Sequence, residues 1–153
     1  KCRANGRGIF CLVKTSNPSS GQIQDLKLED GRHVYELMAD LVDEWGQAVI
    51  GKYGYSSVGA VVGATWPEQA KVLRQRMKHT YFLVPGYGAQ GGTAESIKVN
   101  FNEDGLGAII NASRSFMCAY KSDMWSKQFT PEQFAEAARA EALRMKEDLE
   151  RIK

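Results

Sequence analysis

The chain has 153 residues, of which 43% are hydrophobic and 25% are charged, a composition typical of one globular domain over residues 1–153. The formal net charge of +2 is too small to favour nucleic acid as a partner, and no apolar run reaches the roughly 20 residues that cross a bilayer. We therefore expect neither a nucleic-acid nor a membrane partner. The chain opens on Lys1 rather than methionine, which favours a piece of a longer protein.

The three cysteines are Cys2, Cys11 and Cys118, an odd number without metal-ligand spacing. Cys11 and Cys118 lie in or beside apolar runs. This pattern predicts reduced thiols in the core of a cytosolic protein and no metal site.

Residues 8–13 form a continuous apolar run, as expected of a strand in a parallel sheet covered on both faces. The run stops at 14–21, which is dense in loop-forming residues. A helix is predicted over 34–49, because apolar residues recur there at steps of three and four. Its stripe consists of Val34, Met38, Leu41, Val42, Trp45 and Val49.

A second buried strand is predicted over 58–64, where small residues indicate that a neighbouring backbone comes close. The next four residues, 65–68, have the form of a capping box with proline in the first turn of a helix. The basic residues of that helix are expected to face solvent. They are Lys71, Arg74, Arg76 and Lys78.

The third and fourth strands are predicted over 81–84 and 107–111, with a short helix over 93–99 between them. A capping signature at 130–133 opens a long final helix. Its apolar stripe is Phe134, Ala138, Ala142, Met145, Leu149 and Ile152. Strand and helix thus alternate four times, which predicts an α/β fold with parallel strands and right-handed crossovers.

The loop after the third strand contains Gly86, Gly88, Gly91 and Gly92. Glycines that reach positive φ with unshielded N–H groups suit a concave anion-binding loop, although a plain tight connection is the common alternative. The fourth strand runs into Arg114. A glycine-rich loop and an arginine after consecutive strands is the arrangement expected after strands seven and eight of a (β/α)₈ barrel, where phosphate commonly binds.

Four segments of this sequence together resemble one family, namely 8–21, 58–65, 83–92 and 111–114. They resemble the C-terminal half of orotidine 5′-phosphate decarboxylase of the bacterial type-2 branch, in order and over essentially the whole chain. The resemblance implies a (β/α)₈ barrel, usually dimeric, that converts orotidine 5′-monophosphate (OMP) to uridine 5′-monophosphate (UMP) without a cofactor. It covers barrel strands five to eight, so we expect a half-barrel of four βα units.

The resemblance also implies which residues hold the nucleotide. Thr15 and Ser16 would meet the pyrimidine ring, Gln90 would span phosphate and base, and Arg114 would grip the phosphate through its planar fork of donors. Backbone N–H groups of 88–92 would assist, beside a wall shaped by Pro85 and Gly86. The full set of expected substrate contacts is Thr15, Ser16, Pro85, Gly88, Gln90, Gly91, Gly92, Ser113 and Arg114.

No catalytic residue is expected in this chain. The family's Lys-x-Asp-x-Lys-x-x-Asp motif ends strand three, outside the resemblance. Asp25, Lys27 and Asp30 fit its second half letter for letter, yet they follow a polar loop rather than an apolar strand. We interpret them as charges on a solvated connection, and His33 and His79 as surface histidines without a paired acid.

Three functions remain open from the sequence. The first is an OMP decarboxylase of which this chain carries the phosphate-binding half, with OMP or UMP as the bound nucleotide. The second is a non-catalytic phosphate-binding or assembly module in which two half-barrels pair. The third, a different (β/α)₈ enzyme acting on a sugar phosphate, is disfavoured by the loop at 15–18. Half a barrel would expose an apolar inner face and two strand edges, so we expect a homo-oligomer or a missing N-terminal half as partner.

Overall fold

Four parallel strands form a single sheet in the computed structural model, which describes residues 3–88 and 90–152. The strands are β1 (Ile9–Lys14), β2 (Val58–Val62), β3 (Phe82–Pro85) and β4 (Ala108–Asn111). They lie in sequential order, with β1 and β4 at the edges. The predicted strands are confirmed, with bounds that differ by one or two residues.

Helical segments connect and follow the strands. The α-helices are α1 (Gly21–Gln24), α2 (Val34–Gln47), α3 (Pro67–Arg76), α4 (Ala94–Lys98), α5 (Ser113–Met117) and α6 (Phe134–Glu150). Short 3₁₀ turns lie at Arg3–Asn5, Pro18–Ser20, Ala119–Lys121 and Pro131–Gln133. The capping box predicted at Thr130 is present, and it starts the 3₁₀ turn that leads into α6. The strand and helix order is that of four βα units.

The core lies between one face of the sheet and the helices. Val13, Val62 and Val84 are fully buried on this face. The buried residues of α2 are Tyr35, Ala39, Val42 and Gly46, and those of α6 are Ala137, Glu141 and Met145. The buried faces of α2 and α6 thus differ slightly from the predicted apolar stripes. Trp45 and Phe134, which were predicted to be buried, are 49% and 58% exposed.

The other face of the sheet carries a row of apolar side chains, which we call the inner face. Leu12, Val61, Leu83 and Ile109 align across the four strands. Leu12 is 63% exposed, Ile109 49% and the neighbouring Phe10 46%. A closed barrel would bury such residues in its interior. The expected half-barrel, with an uncovered apolar face and two edge strands, is confirmed.

An irregularity at the end of β1 changes the direction of Lys14. The register between β1 and β2 shifts between Leu12 and Lys14, so Lys14 pairs with Val62 and lies on the helix-covered side. Its ammonium is fully buried, 2.6 Å from Asp25 Oδ1 and 4.8 Å from the Trp66 ring centroid. Asp25 is exposed, as expected of a solvated connection, and it is also the counterion of a buried lysine, which the sequence did not predict.

The expectation that Arg74 faces solvent was wrong. It is only 7% exposed, and its guanidinium donates to backbone oxygens beyond the end of α3. The acceptors are Thr80 at 2.8 Å, Gly107 at 3.1 Å, Asn100 at 3.3 Å and Met77. Burial lowers the pKa of Arg74 to about 10. These backbone carbonyls lie outside the helices and strands, and the Arg74 side chain that donates to them joins the loop after α3 to the loop after α4.

The expectation that His33 has no paired acid was wrong, although its side chain is partly exposed. His33 is the N-cap residue of α2 and lies 3.0 Å from Glu36, with which it forms a capping box. Glu36 and Asp40 in turn bind Arg76 of α3, each at 2.9 Å. His79 is exposed as expected, and its Nδ1 lies 2.9 Å from the carbonyl oxygen of Gly54.

The cysteines divide between core and surface. Cys11 is partly buried against the core, and burial raises the pKa of its thiol. Cys118, which directly follows α5, is exposed, so its predicted core position was wrong. Both are free thiols. Cys2 lies outside the described residues.

Candidate functional site

Two adjoining clefts lie at the carboxyl ends of the strands, the edge where parallel α/β proteins bind ligands. The larger has a volume of about 510 Å³ and is lined by Ser16, Asn17, Pro18, Thr65, Trp66, Gln90 and Arg114. The smaller, of about 90 Å³, is lined by Pro85, Gly86, Tyr87, Gln90, Asn111, Ala112, Ser113 and Arg114. Gln90 and Arg114 belong to both. The clefts thus bring together residues that the sequence assigned to one site from three separate loops.

Ser16 and Gln90 are in direct contact. The Ser16 hydroxyl donates to Gln90 Oε1 across 2.7 Å, which joins the loop after β1 to the loop after β3. Gln90 Nε2 donates to no group in the described part of the chain. The amide therefore offers a free N–H donor to a ligand in either cleft.

The position of Ser16 depends on residues that the sequence did not identify as part of the site. A Cβ added to Gly63 would lie 2.6 Å from Ser16 N and 2.7 Å from its Cα, so only glycine fits there. This is the close backbone approach predicted for β2. Thr65 Oγ1 donates to the Ser16 carbonyl at 3.1 Å, and Trp66 Nε1 donates to the Thr15 carbonyl at 2.9 Å. The capping box predicted at 65–68 is absent, since Trp66 is the N-cap residue and makes no side-chain cap.

Thr15 serves the loop rather than the clefts. Its hydroxyl donates to Asn17 Oδ1 at 2.6 Å, and its N–H donates to Gln24 Oε1 at 3.0 Å. It lines neither cleft. Of the two residues predicted at the base, only Ser16 faces the larger cleft.

The glycine loop, residues 86–92, is closed by its own hydrogen bonds. Gly86, Gly88 and Gly91 have φ of +100°, +72° and +90°, a region that side chains disfavour. Gly88 N donates to Gly92 O at 2.8 Å, Gly91 N to Gly88 O at 2.8 Å and Gly92 N to Gly86 O at 3.1 Å. Three N–H groups that were predicted to bind an anion thus donate hydrogen bonds within the loop instead. Ala89, in the predicted stretch, lies outside the described residues.

Arg114 is the free cation of the site. It lies exposed in the first turn of α5, and its side chain forms no hydrogen bond or ion pair with any residue in 3–88 or 90–152. The neighbouring Ser113 hydroxyl donates to Asn111 Oδ1 at 3.1 Å. A Cβ on Gly88 would lie 2.8 Å from Ser115 Oγ, so the glycine loop packs directly beside the turn that carries Arg114. Ser115 was not identified from the sequence.

Tyr87 is a further residue that sequence reasoning missed. It is 4% exposed, and its hydroxyl donates to Asp148 Oδ2 of α6 at 3.0 Å. Burial, reinforced by the bond to Asp148, raises the pKa of Tyr87. No local pattern could have shown this pair, because the partners are 61 positions apart.

Asp25 and Lys27 line neither cleft, and Lys27 is exposed. Within the described residues, no group of three or more His, Cys, Asp or Glu side chains is placed to hold a metal ion. No helix found in that part of the chain is long and apolar enough to cross a membrane.

Comparison with known proteins gives a family for the chain. A profile of the "Orotidine 5′-phosphate decarboxylase / HUMPS family" matches residues 1–123. An orotidine 5′-phosphate decarboxylase of Rhodopirellula baltica is 43% identical over 148 residues, which are 97% of this chain and 49% of that protein. One from Caldicellulosiruptor bescii is 50% identical over 121 residues, 79% of this chain and 39% of that protein.

Solved structures agree with the sequence relatives. The OMP decarboxylase of Leishmania donovani superimposes with a TM-score of 0.70 at 30% identity, covering 99% of this chain and 50% of that one. The chain thus spans about half the length of several relatives that it matches. Helix α6 lies beyond the residues that the family profile matches.

Proposed function

The chain belongs to the orotidine 5′-phosphate decarboxylase family, and on that premise we propose that it forms the C-terminal half of an enzyme that converts OMP to UMP and CO₂. The observation that carries the proposal is the meeting of Arg114, Gln90 and Ser16 at the carboxyl ends of the strands. A free guanidinium, a free amide N–H and a hydroxyl border one cleft there. These groups suit the phosphate and the base of a nucleotide.

Each of these residues has a distinct proposed role. Arg114 binds two phosphate oxygens through its planar fork, since nothing in the described chain competes for its donors. Gln90 keeps its oxygen on Ser16 and turns Nε2 toward the nucleotide. Ser16 contacts the pyrimidine edge, while Thr15 shapes its loop. Ser113 and Pro85 form the wall of the smaller cleft.

The proposed role of the glycine loop is modified by its internal bonds. Gly88, Gly91 and Gly92 hold the loop in one conformation rather than offering all their N–H groups to the phosphate. The loop then acts as a rigid wall beside Arg114. Rigid positioning of this kind lowers the entropy cost of binding.

This half of the barrel provides nucleotide binding and does not provide the proton. Binding energy from a phosphate far from the reacting carbon can be used to hold the ring in a charged pocket on the other half, which raises the rate through interactions made in the transition state. Lys27 is exposed outside both clefts, so we do not propose it as the proton donor. No cofactor or metal takes part in the proposal.

The uncovered inner face supports a partner of the same kind of structure. Phe10, Leu12 and Ile109 would be buried if the N-terminal half of a barrel closed on this sheet. The alternative is that a second copy covers this face, giving an assembly module without catalysis. We also propose a cytosolic location, which the free thiols of Cys11 and Cys118 suit.

Titration with UMP and uridine tests the binding role. In the protein containing both halves of the barrel, UMP should shift the backbone amide resonances of 14–18, 86–92 and 112–115. Uridine should shift the first of these segments and leave 112–115 nearly unchanged, because it carries no phosphate. Shifts confined to segments away from the two clefts would contradict the proposal.

A further inference from the structure

Helix α6 is bonded to the glycine loop through a hydrogen bond between buried Tyr87 and partly buried Asp148. The Tyr87 hydroxyl donates to Asp148 Oδ2 across 3.0 Å, and the Tyr87 side chain is almost completely buried. Tyr87 lies between Gly86 and Gly88, both at positive φ. The two glycines give the backbone conformational freedom on either side of Tyr87. The contacts of the Tyr87 side chain can therefore hold the loop in place.

Asp148 is itself held in place by other residues of the C-terminal region. Arg144 donates to Asp148 Oδ2 at 2.6 Å and to both oxygens of Glu141 at 2.8 Å. Trp125 Nε1 donates to Glu141 Oε2 at 2.9 Å. Tyr87, Asp148, Arg144, Glu141 and Trp125 thus form a continuous chain of hydrogen bonds. Charge-assisted bonds of this kind are shorter and stronger than neutral ones.

We propose that Asp148 is a positioning residue that acts through Tyr87 to hold the glycine loop against the phosphate-binding turn of α5. The loop reaches that turn at Gly88, which abuts Ser115, the neighbour of Arg114. A loop released at Tyr87 therefore moves relative to Arg114. Helix α6 contributes to nucleotide binding in this way although none of its residues lines either cleft.

The consequence for ligands rests on the proposed function, since it requires the phosphate to lie beside Arg114 and the loop. A nucleotide with a phosphate depends on the loop, whereas a nucleoside without one reaches only the Ser16 side of the site. Loss of the anchor should therefore weaken UMP binding and leave uridine binding unchanged. General destabilisation of the fold would weaken both.

Tyr87→Phe and Asp148→Ala test the anchor in the protein that contains both barrel halves. The N–H groups of Gly88, Gly91 and Gly92 report on the loop, because each donates within it. Their hydrogen exchange should become about tenfold faster in either variant, as expected when a hydrogen bond to a charged group is lost. UMP affinity should fall about threefold to tenfold in each variant. The double variant should bind UMP no more weakly than whichever single variant binds it more weakly, because both substitutions remove the same hydrogen bond.

Tyr53→Phe and Asp123→Ala are matched controls, since Tyr53 is 81% exposed and neither side chain forms a hydrogen bond or ion pair within the described residues. Both controls should leave exchange and binding unchanged. Unchanged loop exchange in Tyr87→Phe would overturn the proposal, as would equal losses of UMP and uridine affinity. If the unmodified protein failed to bind UMP, the proposed function would fail, and loop exchange would still decide whether the anchor exists.

Discussion

Two arginines without carboxylate partners in the described chain serve opposite purposes. Arg74 is buried and donates to backbone carbonyls, whereas the Arg114 guanidinium is exposed and donates to no group among residues 3–88 and 90–152. A buried guanidinium must find acceptors, because desolvation of an unpaired charge is costly. An exposed one at the mouth of a cleft can be kept for a ligand. The same side chain therefore stabilises loops at one site and is available to bind phosphate at the other.

Arg114→Ala should weaken UMP binding about tenfold to a hundredfold, because it removes a charge-assisted contact that can involve two bonds. Arg114→Lys should recover only part of the loss, since an ammonium keeps the charge but lacks the planar fork. Uridine affinity should stay the same in both variants. Calorimetric titration of the three proteins with each ligand provides the measurement.

The control for this substitution is Arg139→Ala, which removes an exposed arginine of α6 that forms no ion pair with the described residues. It should bind UMP as tightly as the unmodified protein. Equal UMP affinity in Arg114→Ala and Arg139→Ala would remove Arg114 from the phosphate site.

Gly63→Ala should displace Ser16. The new Cβ would lie within 2.7 Å of two backbone atoms of Ser16, which cannot move aside as a flexible side chain can. We expect a loss of about 1–3 kcal/mol in the free energy of unfolding, typical of overpacking, together with weaker binding of uridine and UMP alike. Chemical denaturation and titration measure the two effects.

Gly51→Ala is the matched control, because a Cβ there would meet only the Tyr55 carbonyl oxygen at an ordinary 3.6 Å. It should leave ligand binding unchanged. Comparable losses of affinity in the two variants would show that crowding at Ser16 is not the cause.

At the scale of elements, the attachment of α6 depends on an ionised Glu141. The hydrogen bond from Arg144 is the main cause that lowers the pKa of Glu141 below its usual 4.5, and burial opposes it. A carboxyl whose pKa is lower in the folded state adds stability above its unfolded pKa, and that stability is lost as the pH falls through the folded value. The unmodified protein should therefore lose stability as the pH falls below about 4.5.

Glu141→Gln tests this contribution. The variant should be less stable than the unmodified protein at neutral pH, and the difference should shrink as the pH falls below about 4.5. Glu147→Gln, an exposed position on the same helix, should follow the unmodified protein at every pH. A stability difference for Glu141→Gln that does not change with pH would contradict the assignment.

The strands and helices were predictable because each is encoded by a pattern of apolar residues within a stretch of about ten residues. Apolar runs marked the strands, and steps of three and four marked α2 and α6, because burial of one face requires that spacing. Misassigned residues had partners far along the chain. Arg74 is buried because carbonyls up to 33 positions away face it, and Thr65 bonds Ser16 rather than capping a helix. Local sequence carries no sign of such partners.

The candidate site was predictable in outline for a different reason. Long motifs that resemble a family fixed the positions of Ser16, Gln90 and Arg114, which the structure brings to adjoining clefts. A close backbone approach was predicted around Gly63, but its contact with Ser16 and the bond of Tyr87 to Asp148 were not, because both join segments far apart in the chain. The bonding of Asp25 to Lys14 depended on a shift in β-register that no pattern of polarity indicates.

At the scale of the whole molecule, the exposed inner face supports the proposal that the chain has a partner. Phe10, Leu12 and Ile109 are about half exposed or more. Full burial of a large apolar side chain is worth about 1.5–3 kcal/mol, so closure of a second half over the sheet is strongly favourable. Strands β1 and β4 present unpaired edges on both sides of the same face. The proposed complementary half-barrel would cover the face and both edges together.

The most direct test of the account is the decarboxylation of OMP, followed by loss of the orotate absorbance. The 153-residue chain alone should show no turnover, because under the proposed function it supplies contacts to the phosphate and base, while the lysine and carboxylates that act on the ring belong to the other half of the barrel. Addition of a separately produced N-terminal half, with barrel strands one to four, should restore activity, and Arg114→Ala in this chain should reduce it. Turnover by the chain alone that disappears in Lys27→Ala would contradict the account, since the catalytic group would then lie in this half.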